Sequence, residues 1–261
     1  MADTVRRFAA IWDVHYGYET VGGHKKAFHD LKAWGACLSF LEDFKPQDFF
    51  FGGDILDCGA ISHHNYGQPR KTEGFRLLRD AEECQTTIIK PIEAILPRDG
   101  RKVLILGNHE DWIEQLLDRD PALEGLVDIR KLLSLSSKWD VIPQGGGASY
   151  GKLYFLHGDT VTGGEFCAKK AVLEYERNVR FGHHHTFQTY TKTSPIDVKL
   201  PKTGIAVPCM CVKDIGYARR RPNRWVQGFL WGYMTEDGPF ADYVSVIVNG
   251  RMIANGKVYK G

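Results

Sequence analysis

The sequence predicts an α/β fold, and two observations predict it. Strand-like and helix-like segments alternate through the first half of the chain, as they do in βαβ units. Three of those strand-like segments run directly into a polar or acidic motif, the arrangement expected where carboxyl ends of strands carry a site. A chain of 261 residues with 43% hydrophobic content can bury a sizeable core in one large domain.

RRFAAIW (6–12) reads as a buried strand. Over 24–44, Ala27, Phe28, Leu31, Trp34, Leu38, Leu41 and Phe44 recur at three-and-four spacing, which predicts one amphipathic helix. QDFFFGG (47–53) is a second strand. CGAISHHNYGQPRKTE (58–73) is polar and rich in turn formers, too irregular for an element and too long for a simple connector, so it is a candidate functional loop. Residues 73–96 read as helix, with a kink or end near Pro91 because proline lacks the N–H that a helix interior needs. KVLIL (102–106) is a third strand, followed by a short helix near 110–118. WDVIP (139–143) and KLYFLHG (152–158) are strands, GEFCAKKAVLEY (164–175) a helix, and NVRFG (178–182) a strand. The remainder, 186–261, alternates β-branched and aromatic residues with turn signals and reads as a β-rich C-terminal part completing a second layer. Without repeats, low-complexity tracts or linkers, residues 1–261 are read as a single domain.

A net charge of +2 excludes a polycation that seeks nucleic acid or anionic lipid with its whole surface. The local exception is KDIGYARRRPNR, where Lys213, Arg219, Arg220, Arg221 and Arg224 face one acid, Asp214. The six cysteines form no CxxC pair and no zinc-finger spacing, which argues for a reducing compartment rather than a disulfide framework. Cys209 and Cys211, in ProCysMetCys, read as buried structural thiols, with metal binding the lesser alternative. No secretory pattern opens the chain and no apolar run reaches the roughly 18 residues of a membrane span, so a soluble, cytoplasmic protein without a membrane partner is expected.

Five polar clusters carry the chemistry: Asp13-Val14-His15, Gly53-Asp54-Ile55-Leu56-Asp57, Gly107-Asn108-His109-Glu110, His157-Gly158-Asp159 and Gly182-His183-His184-His185. Singly, each has a structural explanation as a turn, a helix cap or a hydrogen-bonded loop. Together they share one donor profile of carboxylate, imidazole and amide without thiol. That profile suits Mn²⁺ first, with Zn²⁺, Fe²⁺ or Ni²⁺ as the other fits. Seven candidate ligands, Asp13, His15, Asp54, Asn108, His157, His183 and His185, exceed what one catalytic ion takes while keeping an open position, so two divalent ions are expected. In an extended loop, side chains two apart share a side. His183 and His185 would then reach different ions and leave His184 a bystander.

In this order the motifs DVH, GDILD, GNHE, HGD and GHHH resemble the signature of the calcineurin-like metallophosphoesterase superfamily, DxH, GDxxD, GNH[D/E], H and GHxH. The resemblance spans 13–185. It implies a four-layer αββα sandwich of two mixed β-sheets flanked by helices, with a dimetal site at the loop end. It further implies that Asp13, His15 and His185 hold one ion, that Asn108, His157 and His183 hold the other, and that Asp54 bridges them. His109 would protonate the leaving oxygen, with Glu110 orienting it, and Asp57 and Asp159 would stand behind the ligands. Hydrolysis would proceed by water activated between the ions, without a covalent phosphoenzyme.

The second motif departs from the serine/threonine protein phosphatase pattern GDxxDRG, since Cys58 and Gly59 follow Asp57. A bidentate guanidinium matters most for a terminal phosphate with three free oxygens. Its absence favours a phosphodiester, with a nucleotide or nucleic acid as the expected substrate. His63, His64, Arg70, Arg219, Arg220 and Arg221 are the candidate substrate-binding residues, and Trp225 a candidate stacking surface. The alternatives are a phosphomonoesterase of the protein phosphatase type and a non-catalytic scaffold on the same fold. The presence of all seven ligands and His109 weighs against the scaffold.

Overall fold

Alternation along each strand sets the layers, because successive side chains point to opposite faces of a sheet. The computed structural model describes residues 4–21, 23–196, 201–213, 223–235 and 238–261. In chain order these form β1 (Val5–Ile11), β2 (Tyr18–Val21), β3 (His24–Ala27), α1 (Leu31–Phe44), β4 (Asp48–Phe51), α2 (Pro69–Thr72) and α3 (Leu77–Cys84). A π-helical turn, Gln85–Ile89, joins α3 to α4 (Lys90–Ile95), and β5 (Lys102–Ile105), α5 (Asn108–Arg119), α6 (Ile129–Leu132) and β6 (Trp139–Ile142) follow. Then come β7 (Gly147–Tyr150), β8 (Leu153–Leu156), α7 (Cys167–Tyr175), β9 (Asn178–Phe181), β10 (Gln188–Lys192) and β11 (Lys202–Ala206). The chain closes with β12 (Gln227–Thr235), β13 (Phe240–Ile247), β14 (Arg251–Ala254) and β15 (Lys257–Lys260).

Two mixed sheets result, one ordered β13-β12-β1-β4-β5-β6 and the other β10-β11-β9-β8-β7. Phe8, Ala10 and Trp12, together with Phe50, Val103 and Ile105 of β4 and β5, face the second sheet, where they meet Leu153 and Phe155. The intervening Ala9 and Ile11 face the opposite way, with Phe49, Phe51 and Leu104, onto a helical layer built from α1, α3 and α4. On the outer face of the second sheet, Val179, Phe181 and Ala206 pack against Cys167 and Ala171 of α7. Helix, sheet, sheet and helix therefore stack in four layers. Arg180, 1% exposed, is the buried cation of β9, and Asp242 of β13 pairs with it across the sheets, as a charge removed from water requires.

Three sequence expectations shift. Residues 24–27 do not begin a helix but pair with 18–21 as a hairpin. Asp30 then caps α1 by accepting from the Lys32 and Ala33 N–H groups. The buried stripe of α1 is accordingly Ala33, Trp34, Cys37, Phe40, Leu41 and Phe44, while Leu31 is 53% exposed. Pro91 neither ends nor breaks its helix, because the π turn before it absorbs the mismatch in hydrogen bonding. The C-terminal part does not complete the second sheet alone: β10 and β11 join it, whereas β12 pairs antiparallel with β1 in the first sheet.

In the first sheet β1, β4, β5 and β6 run parallel, and in the second β8 and β9 do. Their carboxyl ends deliver all five motifs to one edge of the sandwich. Trp12 spans the seam between the sheets there, donating to the Leu156 carbonyl at 2.9 Å. Gly52 and Gly182 leave room for it, since a Cβ at either would lie within 2.5 Å of the indole.

Candidate metal centre

Five of the seven candidate ligands sit on left-handed backbone: Asp13 (φ 55°), His15 (48°), Asp54 (52°), His183 (64°) and His185 (53°). Asp and His are among the non-glycine residues that tolerate this region best, and such strain concentrates at functional sites. The first motif runs beside the second, with the His15 N–H donating to the Asp54 carbonyl and the Tyr16 N–H to that of Ile55. Each left-handed residue breaks the alternation of its strand, so Asp13, His15 and Asp54 turn toward a common point instead of opposite faces.

The histidine triplet is divided by the same device and not by an extended loop. The His184 N–H donates to the Gly182 carbonyl at 2.7 Å, a tight three-residue turn with His183 at its apex. His183 then lies with Asp54 and His157, their ligand atoms all within 4.8 Å of one another. His185 is directed to His15, with the two Nε2 atoms 3.2 Å apart, and to Asp13 Oδ1 at 3.6 Å. His184 turns away, and its Nε2–H donates to the Val161 carbonyl at 3.0 Å.

Asp54 lies between the two groups. Its Oδ2 is 3.3 Å from His157 Nε2 and 3.7 Å from His15 Nε2, while its Oδ1 accepts from the His109 N–H at the start of α5. His157 donates from Nδ1 to the Gly52 carbonyl, which turns Nε2 toward Asp54 and, at 3.1 Å, Asn108 Oδ1. Behind His15 stands Asp57, whose Oδ1 is 3.5 Å from Nδ1. Behind His185 stands Cys211, with Sγ 3.7 Å from its Nδ1, a contact that no motif signals because the thiol comes from the far end of the chain. Asp159 accepts from Gln144.

Electrostatics favour cations at this cluster. Asp13 Oδ1 is buried and accepts no hydrogen bond from the described residues. Burial raises the Asp54 carboxyl, but the charges of His157, His109 and His15 outweigh it and hold the group well below the carboxylate range. Burial lowers His157 while Asp54 and Asp13 raise it, for a net position of about 10, and His185 similarly rises to about 9. Protons on these imidazoles balance the buried carboxylates, and a divalent ion would displace them. His183, pushed down to about 4 by burial and by the His157 charge, offers a free lone pair. The donor set thus fits divalent ions, in a group around Asp13, His15 and His185 and another around Asn108, His157 and His183, with Asp54 between.

His109 and Glu110 do not form the expected pair. The Glu110 carboxylate, 1% exposed, accepts from the N–H groups of Asp54, Leu56 and Gly107, each at 2.9 Å. It therefore holds the backbone of the second motif against α5. Burial and the Asp54 charge push its carboxyl up to about 7. His109 is oriented by Asp57, whose carbonyl accepts from Nδ1 at 2.6 Å, and by Trp112, whose ring centroid is 4.2 Å away. The His109 ring also approaches His15 and Asp54 Oδ2, the latter at 3.9 Å, so it faces the centre.

A cleft of about 230 Å³ opens beside the centre, lined by Asp57, Asn108 and His109 on the metal side. Phe28, Phe75 and Trp112 give it aromatic walls, and Glu19, Ser62, His64 and Asn65 its polar ones. The loop 58–73 thus contributes to the cleft, and His64 lines it. His63 bonds Gln115 at 3.1 Å through Nδ1, and Arg70 is exposed on α2. Trp225 packs edge-on against His185 at 4.3 Å. Arg219, Arg220 and Arg221 lie outside the described residues, and Arg224 pairs with Glu165. Phe28, Phe75 and Glu19 escaped the sequence reading because they belong to no motif and reach the site only through folding.

Residues 6–198 match the family described as Calcineurin-like phosphoesterase. The chain belongs to this family. Membership implies a phosphoric ester hydrolase, and the clustered Asp and His donors are its candidate metal ligands. Among solved structures the chain is similar to Vps29 of Chaetomium thermophilum, at 11% identity, covering 93% of this chain and 98% of that one, with a TM-score of 0.41. It is also similar to Yfce, a phosphoesterase from E. coli, at 12% identity, covering 91% and 98%, with a TM-score of 0.41. Likenesses this distant say nothing of what this chain binds. No curated protein matches the sequence. Among the described residues no helix is long and apolar enough to cross a membrane.

Proposed function

We propose that this family member is a phosphodiesterase acting on a nucleotide or nucleic-acid ester, with Mn²⁺ the first choice for its two ions. The observation that carries the reading is the lining of the cleft. Among the described residues, none of its lining side chains is an Arg or Lys, and Cys58, where a guanidinium would stand in a protein phosphatase, is buried. A monoester dianion calls for bidentate cationic donors. A diester brings a single charge and an organic substituent, which suits a cleft walled by Phe28, Phe75 and Trp112.

When bound, the two ions would supply an activated water and charge stabilisation at the phosphate oxygens. The remaining work falls to the chain. The neutral Asn108 amide offers an oxygen without adding a charge that would repel the phosphate. His109, tethered through Nδ1 to the Asp57 carbonyl, is left with Nε2 to donate a proton to the leaving oxygen. Glu110 fixes the loop that presents Asp54. Side-by-side hydrolysis of bis-p-nitrophenyl phosphate and p-nitrophenyl phosphate with added Mn²⁺ tests the reading. Preference for the diester is expected, and a strong monoester preference would overturn it.

A further inference from the structure

A motif supplies His185, but no motif supplies the group that aims it. Of its two ring nitrogens, Nε2 faces the centre, 3.2 Å from His15 Nε2 and 3.6 Å from Asp13 Oδ1. The partner of Nδ1 among the described residues is the Cys211 sulfur at 3.7 Å, and both residues are buried. An imidazole that binds a metal through one nitrogen donates the N–H of the other to an acceptor, which fixes its tautomer and ring orientation. His157 has such an acceptor in the Gly52 carbonyl. For His185 the corresponding place is taken by sulfur.

The sulfur is held there by a segment that lies outside every motif. Residues 207–212 run between the ends of the first and fifth motifs. The Val207 N–H donates to the Phe181 carbonyl at 2.7 Å, the Met210 N–H to the Asp13 carbonyl at 3.0 Å and the Val212 N–H to the Phe28 carbonyl at 2.7 Å. The Cys211 carbonyl accepts from Gln227 Nε2 at 2.9 Å. The same segment reaches His185 from the other side, since Cys209 N–H donates to the Val226 carbonyl and Val226 N–H to that of His185. Backbone bonds on both flanks of Cys211 therefore leave its thiol little freedom except to stand against Nδ1.

We infer that Cys211 is a positioning residue for the metal centre: its sulfur accepts the Nδ1–H of His185 and so keeps the Nε2 lone pair aimed at the group around Asp13 and His15. The inference rests on the metal centre and not on which ester is hydrolysed. The sulfur lies within 4.8 Å of ligand atoms of His15 and His185, close enough to compete as a ligand. Its hydrogen bond to Nδ1, the nitrogen that does not face Asp13, assigns it to orienting the ring instead.

The test titrates the metal-free full chain with Mn²⁺ by calorimetry. Cys211→Val fills the space without accepting a hydrogen bond, whereas Cys211→Ser keeps an acceptor in a smaller volume. Cys211→Val is expected to weaken one of the two binding steps by roughly 10- to 100-fold and leave the other near the parent, with Cys211→Ser recovering most of the loss. Cys211→Ala repeats the comparison with Ser at no risk of overpacking, and should bind as weakly as Val. A packing role would reverse the order of Val and Ser, and that reversal would overturn the inference, as would parental affinity in all three variants or a parent that binds no Mn²⁺. Cobalt gives a readout that depends on no variant. The parent loaded with Co²⁺ should show no sulfur-to-cobalt charge-transfer band in the near ultraviolet, and such a band would make Cys211 a ligand and overturn its positioning role.

Discussion

Glu110→Gln should loosen the Asp54 loop without disabling the acid. Oε1 accepts from Leu56 N–H, and Oε2 from those of Asp54 and Gly107, all at 2.9 Å. Glutamine keeps one oxygen. In its better orientation that oxygen retains the Asp54 and Gly107 bonds, and the new NH₂ group confronts the Leu56 N–H. Two buried donors then face each other, at about 1–3 kcal/mol apiece, so a loss of roughly 2–6 kcal/mol is expected. Urea unfolding of the metal-free protein measures it. Since Asp54 stands between the two ligand groups, metal content should fall with stability, as emission spectrometry of the dialysed protein would show. A variant that kept both its stability and its metal, but shifted the acid limb of the pH–rate profile, would refute this account and restore Glu110 as the partner of His109.

Three further outcomes are expected. His109→Ala should lower turnover by roughly 10² to 10⁴ with metal content nearly intact, whereas Asp54→Ala should lose metal and activity together, and equal metal loss in both would dissolve the distinction. His184→Ala should reduce kcat/KM and metal content far less than His183→Ala or His185→Ala, because its bond goes to the Val161 carbonyl and not to the centre. Asp48 should confer acid sensitivity. Burial raises its carboxyl, but hydrogen bonds from Arg6, Tyr150 and the Arg101 N–H outweigh that and hold it below its ordinary value. A depressed folded pKa stabilises the fold above the unfolded value of about 3.9, and the benefit is lost as pH falls through the folded one. Asp48→Asn should thus be less stable than the parent near neutral pH, with a gap that narrows in acid, and urea midpoints at both pH values would expose a gap that failed to narrow.

The five motifs were legible in the chain because each combines a short apolar strand with Asp, His or Asn at its end, a local pattern that needs no knowledge of the fold. The α/β class and most strands were legible for the same reason, since periodicity is local. The hairpin at 18–27 was not, because Ala27 and Phe28 fit the helical spacing of the segment that follows, and the Asp30 cap and pairing with 18–21 overrode it. Nor was the division of the C-terminal strands between the sheets, which rests on long-range pairing with β1.

At the site, residue type announced the ligands, but their aim came from left-handed backbone at Asp13, His15, Asp54, His183 and His185, which an extended reading of the histidine triplet does not contain. Glu110 shows the limit most clearly. Its place beside His109 in the chain suggested a partnership, yet in α5 adjacent side chains diverge by about 100°. The carboxylate therefore turns inward to the Asp54 loop, while His109 turns toward the cleft. The cleft itself is assembled from residues as far apart as Glu19, Phe75 and Trp112, so its shape exists only once the chain is packed.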